Sequence, residues 1–461
     1  MATDNGSASS LKAPQPPAKA PRRSGRRDPL GMGVAAINKL AGARALDRFG
    51  LRKQTERVVF EATKTGFRTL GAISRGFPVG PAARKKPARL PAAHSTGRFD
   101  LTPTEDQQMM VGVVSEFAGE VLRPAAAEAN EACTTPAEIL SQSNELGLTL
   151  IEVPEDLGGI VSERSTTTGV LVAEAMAHGD MGLAVACMAP SAVSTAVSLW
   201  GDERQQEAYL PAFTGEQVPA AALAVMEPRP LFDPFALRTT ARRVPGGFVL
   251  DGVKSLVPRG ADSELFVVAA DLEERGPALF VVESDSSGLE VEAEPAMGLR
   301  AASMSRLILD GVSLPDTALL GDGAADSYAE CVRLSRLGWC ALSLGTAKAV
   351  LDYVIPYVNE RQAFGEPISH RQSVAFMVAN IGIELEGMRL VTYRAASRAE
   401  QGKDFARETA LARRLCTERG MQIGTDGVQL LGGHGFVKEH PVERWYRDLR
   451  AVGLMEGGVL V

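Results

Sequence analysis

Two short segments carry residue types that can hold a phosphorylated, aromatic ligand. In the first, Arg361, Phe364 and Gln372 place a planar cation, an aromatic face and an amide within twelve residues. That set suits a pyrophosphate lying next to an adenine, because a guanidinium forks onto phosphate oxygens and aromatic rings stack. In the second, Gln429 precedes Gly432, Gly433 and Gly435. Glycine lets backbone N–H groups approach phosphate oxygens closely. The same residues also suit a helix end closed by a glycine cap, so both readings stand at this point. Further on come Arg447, Asp448 and then Glu456, followed by Gly457 and Gly458. Taken alone, Glu456 reads as an ordinary acid near the end of the sequence.

Other common chemistries have no signature. There is no P-loop, no GxSxG and no HExxH, and the glycines at 432–435 do not sit in a strand-turn-helix unit. The five histidines form no ligand cluster; His434 and His440 read as surface or supporting residues. The five cysteines lie far apart with no CxxC pair, which argues against a zinc site or a disulfide framework and fits a reducing, cytoplasmic setting. No metal and no nucleic-acid partner are expected. No apolar run reaches the roughly 18 residues a bilayer span needs, and the N-terminus lacks the apolar stretch of a secretion signal.

The elements that must position these residues fall into four regions. Residues 1–98 hold 20 Lys and Arg against five acids, about +15, whereas the remainder holds 29 bases against 51 acids, about −22. Residues 1–28 are too polar to fold, and residues 33–75 have helical spacing beside Arg44, Arg48 and Arg52. Such a basic arm suits a peripheral membrane surface or an acidic partner; a solvated tail fits the composition equally. Residues 99–219 read as a helical domain, with a helix start at Thr102-Pro103-Thr104 in which Thr102 caps and Pro103 lies in the first turn. Residues 220–320 read as a β-domain, a small barrel or sandwich, from runs such as 246–254, 264–270, 279–283 and 306–312. Residues 321–461 read as a helical bundle. In it Val374, Val378, Ile381, Leu385 and Met388 form a seam, and 334–357 is apolar nearly all round. The fold class is α+β, mainly α, with the C-terminal region expected to be a four-helix bundle.

Together and in this order, the motifs at 361–372 and 429–457 resemble those of the acyl-CoA dehydrogenase family, over about residues 100–461. The resemblance implies FAD as cofactor and an acyl-CoA thioester as substrate. It implies a separate electron-transfer acceptor, itself a flavoprotein, and a homodimer, homotetramer or hetero-oligomer. Arg361, Phe364, Gln372, Gln429, Gly432 and Gly433 would hold the pyrophosphate and adenine end of FAD, a grip that in the family comes from the neighbouring subunit. Glu456 matches the base that removes the α-proton while the β-hydrogen leaves as hydride to the flavin. Some members carry the base on the earlier buried helix, but that slot is Ser335 here. Arg336 matches a family arginine close to the catalytic carboxylate, and Gly457 follows the base within the substrate site.

Three positions depart from the family's pattern on the flavin-ring side. Met226 stands where a Thr usually opens the Glu227-Pro228 motif, Leu256 where a Trp packs by the flavin, and Pro258 where a Thr bonds near it. Proline offers neither the hydroxyl nor a backbone N–H. These losses leave a second reading: a catalytically impaired subunit that completes a partner's flavin site.

Overall fold

The computed structural model describes residues 102–459, apart from 161–163 and 216. The basic arm expected in residues 1–98 lies outside the described residues.

Helix α1 (Glu105–Phe117) begins two residues later than expected. Its cap is Thr104, which closes a capping box with Gln107, so Pro103 precedes the cap instead of sitting in the first turn. A π-helical turn at Ala118–Leu122 leads into α2 (Arg123–Ala132), and α3 (Ala137–Glu145) follows. Helices α4 (Thr166–Gly179), α5 (Met181–Trp200) and α6 (Glu203–Tyr209) start at Ser165, Asp180 and Asp202, whose side chains accept backbone N–H groups. Contrary to expectation, α5 is long and apolar enough by composition to cross a membrane. Its small, uncharged residues instead face protein on nearly every side, with 72% of that stretch buried.

The β-domain is one curled seven-stranded sheet. Strand β4 (Leu265–Leu272) is central: β5 (Gly276–Glu283) pairs antiparallel on one edge, and β1 (Ala221–Ala224) then β2 (Thr240–Val244) pair parallel on the other. Strands β3 (Gly247–Val257), β7 (Ser305–Pro315) and β6 (Leu289–Ala293) continue antiparallel from β2. The period-2 alternation sorts β4 between two cores. Leu265, Val267 and Ala269 pack into the helical core, while Phe266, Val268 and Ala270 join Phe248 and Phe280 within the curl. Strands β1, β2 and β6 escaped the sequence reading. Residues 221–224 are Ala-Ala-Leu-Ala, a helix-like composition, and β2 buries only Ala241.

Helix α7 (Ala325–Glu360) spans 36 residues and packs against α4, α8 (Gln372–Glu400) and α9 (Ala406–Leu430). Short α10 (Val442–Leu449) completes the C-terminal helices. In the expected seam Ile381, Leu385 and Met388 are buried, and Val374 and Val378 are half-buried. The three regions meet around α10. Buried Asp448 accepts the Leu299 N–H at 2.6 Å, Arg447 donates to the Met297 carbonyl and to Asn130, and buried Arg444 pairs with Asp180 at 2.9 Å.

Candidate active site

After α10 a 3-10 turn at Arg450–Gly453 brings the chain to Glu456, which adopts φ +58°. A non-glycine residue in the left-handed region is uncommon and is held only where the surroundings fix it. Here they do. The Gly458 N–H donates to the Phe232 carbonyl at 2.9 Å, and the Tyr328 hydroxyl donates to the Pro234 carbonyl at 2.6 Å. Gly457, at φ +101°, is required: a Cβ there would lie 2.6 Å from Pro234 Cδ and 2.9 Å from the Phe232 carbonyl oxygen.

The Glu456 side chain is 5% exposed. Ser335 on α7 donates its hydroxyl to Oε1 at 2.9 Å, whereas buried Oε2 has no partner among the described residues. Arg336 Nε donates to the Glu456 carbonyl at 3.0 Å. The Glu456 backbone N–H donates to no group among the described residues. Burial pushes the Glu456 carboxyl above its ordinary range; Ser335, Arg413, Trp339 and Arg336 offset only part of that. A desolvated carboxylate with one free oxygen is a stronger proton acceptor than a solvated one. Beside it, a free backbone N–H can receive a carbonyl oxygen.

The Ser335 slot thus sits within hydrogen-bond reach of Glu456, so two sequence positions separated by 121 residues occupy one site. Arg336 and Gly457 belong to the same cluster. Arg413, on α9, also reaches it by donating to the Gly457 carbonyl, and no sequence signal pointed to it.

The two segments whose residue types suit a phosphate lie elsewhere among the helices. Arg361 caps the far end of α7; Phe364 is 96% exposed at φ +57°, and Gln372, Gln429, Gly432 and Gly433 are exposed. Tyr357, one turn before Arg361, donates to the Leu431 carbonyl at 3.3 Å and meets His434 Nδ1 at 2.9 Å. That joins the two motifs. The glycines divide between the two readings. Gly432 takes the left-handed helix-cap position at φ +58°, and Gly435 is fixed by the Val428 carbonyl, 2.2 Å from where its Cβ would be. Gly433 has neither demand, since a Cβ there meets nothing within 4 Å. The side chains of Arg361, Gln372 and Gln429 are exposed and have no hydrogen-bond partner among the described residues. Their types fit a dinucleotide's phosphates and adenine.

On the expected flavin-ring side, Lys254 is fully buried and pairs with Glu227 at 3.2 Å. The Ser255 N–H donates to the Met226 carbonyl at 3.0 Å, and Leu256 takes φ +52° in the bulge between Lys254 and Val257. Glu294 clamps this bulge, accepting the Ser255 hydroxyl and the Leu256 N–H at 2.8 Å, and pairs with Arg306 at 2.7 Å. Nothing in the sequence marked Glu294, because its partners come from two other strands.

Comparison with known proteins identifies the family. The acyl-CoA dehydrogenase N-terminal, middle and C-terminal domains match at residues 104–217, 222–312 and 324–458. The chain is 31% identical over 364 residues to the mitochondrial short/branched chain specific acyl-CoA dehydrogenase of Rattus norvegicus, covering 77% of this chain and 83% of that one. It is 29% identical over 364 residues to an acyl-CoA dehydrogenase of Bacillus subtilis, covering 77% and 95%. Its fold matches butyryl-CoA dehydrogenase from Megasphaera elsdenii with a TM-score of 0.73, at 26% identity, covering 78% and 97%. The chain belongs to the acyl-CoA dehydrogenase family of oxidoreductases. FAD is the cofactor to expect in it.

Proposed function

We propose that this protein performs FAD-dependent α,β-dehydrogenation of an acyl-CoA thioester, with Glu456 as the base. The observation that carries the reading is the Glu456 turn: a buried carboxylate with one oxygen, and a backbone N–H, that have no partner among the described residues. A thioester carbonyl accepting that N–H has a more acidic α-proton, because charge developing on the oxygen is stabilised. Glu456 then takes the α-proton, and Ser335 holds the carboxylate orientation. FAD, when bound, supplies the acceptor for the β-hydride. The electrons pass on to a separate flavoprotein acceptor. The purified protein should be yellow and should bleach anaerobically with a saturated acyl-CoA; a yellow protein that no acyl-CoA bleaches contradicts the reading.

The catalytically impaired subunit remains the second reading, favoured by Met226, Leu256 and Pro258 in place of the family's ring-side contacts. The same spectrum separates the two, since an impaired subunit bleaches only when mixed with its partner.

We assign the grip of Arg361, Phe364, Gln372, Gln429, Gly432 and Gly433 to the FAD of a neighbouring subunit. Ser335 contacts the base and Arg361 ends the same helix, about 39 Å further along at 1.5 Å per residue. An extended FAD does not span that separation. Arg361→Ala should weaken FAD binding by about ten- to a hundredfold, as expected for a charge-assisted phosphate bond. Mixed oligomers of Arg361→Ala and Glu456→Gln chains should regain activity, because each such dimer has one site with both defects and one with neither. No recovery in verified mixed oligomers places both residues in one chain's site.

The pH dependence follows from the buried carboxylate. A base acts when ionised, so flavin reduction should rise with pH through an inflection above the ordinary Glu range. Ser335 favours the ionised form, and Ser335→Ala should therefore move the inflection to higher pH. The variant should lose about tenfold in rate on the acid side and recover toward wild type in alkali. A loss equal at every pH assigns Ser335 a purely structural part. For residues 1–98 we propose attachment to an anionic surface or acidic partner from a cytoplasmic location.

A further inference from the structure

Arg413 is a cation buried against the base turn, where its charge offsets part of the burial that raises the Glu456 carboxyl. It lies on α9, is 3% exposed, and has no carboxylate partner in a hydrogen bond or ion pair among the described residues. Its Nη2 donates to the Gly457 carbonyl, while Nε and Nη1 are buried without partners among the described residues. Burying a guanidinium with two idle N–H edges is unfavourable, and a leucine or methionine would fill the same helix-packing position without that penalty.

The neighbouring carbonyl is held in the same way. Arg336 Nε donates to the Glu456 carbonyl at 3.0 Å, so two guanidiniums from two helices take two successive carbonyls of one turn. Fixing the Glu456 and Gly457 carbonyls sets the planes of the peptides that follow each residue. Those planes, with φ +58° at Glu456 and φ +101° at Gly457, go with a Glu456 N–H that has no partner among the described residues and a carboxylate against Ser335.

We propose that Arg413 is a positioning residue: by holding the Gly457 carbonyl it locks the turn that presents the Glu456 carboxylate and N–H together. The proposal rests on the reading of Glu456 as the active-site turn, and it acts through Glu456 without touching substrate.

The test uses the FAD-loaded enzyme and the variants Arg413→Met and Arg413→Lys. Arg413→Met should keep its FAD and change the KM for acyl-CoA little. Flavin reduction should fall by about a hundredfold, the range seen when oriented donors are lost. Arg413→Lys, which restores one donor and the charge, should recover most of that loss. An independent readout is the carbonyl stretch of bound 2-enoyl-CoA, the product class, which reports hydrogen bonding to the thioester oxygen without any proton transfer. In Arg413→Met the stretch should return toward its value in free solution, whereas in Glu456→Gln, which keeps the backbone, it should not. If Glu456→Gln reduces flavin normally while Arg413→Met loses the carbonyl shift, the base assignment fails and the positioning role stands. Should Arg413→Met not fold, Arg413→Gln is measured in the same two ways. A rate within about threefold of wild type with an unmoved stretch, or a lysine variant no better than methionine, overturns the proposal.

Discussion

Glu456→Gln should give a folded, yellow protein whose flavin is reduced by acyl-CoA about a thousandfold more slowly than in wild type. The amide matches the carboxylate in size, so Ser335 can still donate to its oxygen. Arg336 bonds the backbone carbonyl, which the substitution leaves alone. What disappears is the ability to accept a proton. Burial makes the loss severe, because Oε2 has no partner and no other carboxylate bonds within this cluster among the described residues. A single-turnover measurement under anaerobic conditions isolates the step from reoxidation. Reduction within about tenfold of wild type would sink the assignment of Glu456 as the base.

Lys254→Met should destabilise the β-domain by about 3–5 kcal/mol, as expected when one member of a buried ion pair is removed. Lys254 Nζ lies 3.2 Å from Glu227 Oε1 and 3.3 Å from the Val225 carbonyl, with the lysine fully buried and Glu227 nearly so. Burial pulls the Lys254 ammonium down to about 8, with Glu227 holding it up against that pull. It therefore remains mostly charged at neutral pH. Without it, the Glu227 carboxylate keeps the Arg238 and Thr239 N–H groups and the Arg229 guanidinium at 3.6 Å, but loses its nearer, fully buried counter-charge. The midpoint in urea should fall. Adding Glu227→Gln should recover part of the loss, because a neutral amide still accepts those N–H groups. FAD content should fall together with stability, since Met226 lies between the two anchored residues Val225 and Glu227. A Lys254→Met protein as stable as wild type would show that the backbone N–H groups and Arg229 satisfy Glu227 without the lysine.

These two sites differ in how far they could be read from residue order. The order of elements was legible because periodicity is local: 3.6-residue spacing over 372–388 and β-branched runs at 247–257 and 265–272 each fix an element without distant help. Glu456, Arg336 and Gly457 were legible only through a motif, since an acid before two glycines has no chemistry of its own. Arg361 and the glycines at 432–433 were likewise visible as types suited to phosphate.

Tertiary structure alone decided the rest. Whether Glu456 is desolvated depends on α7, the loop at 232–234 and α9 closing around it, three segments far apart in sequence. Arg413 reads as one more basic residue on a charged helix, beside Arg414; packing alone buries the first and exposes the second. Glu294 became a clamp only because β3 bulges opposite it. The glycines show the division most clearly. Sequence could not tell cap from cradle, and the backbone gave the cap to Gly432, close packing to Gly435, and an open surface to Gly433. Local propensity sets which element a segment forms, but burial and charge environment are properties of contacts between segments, and those the chain acquires only on folding.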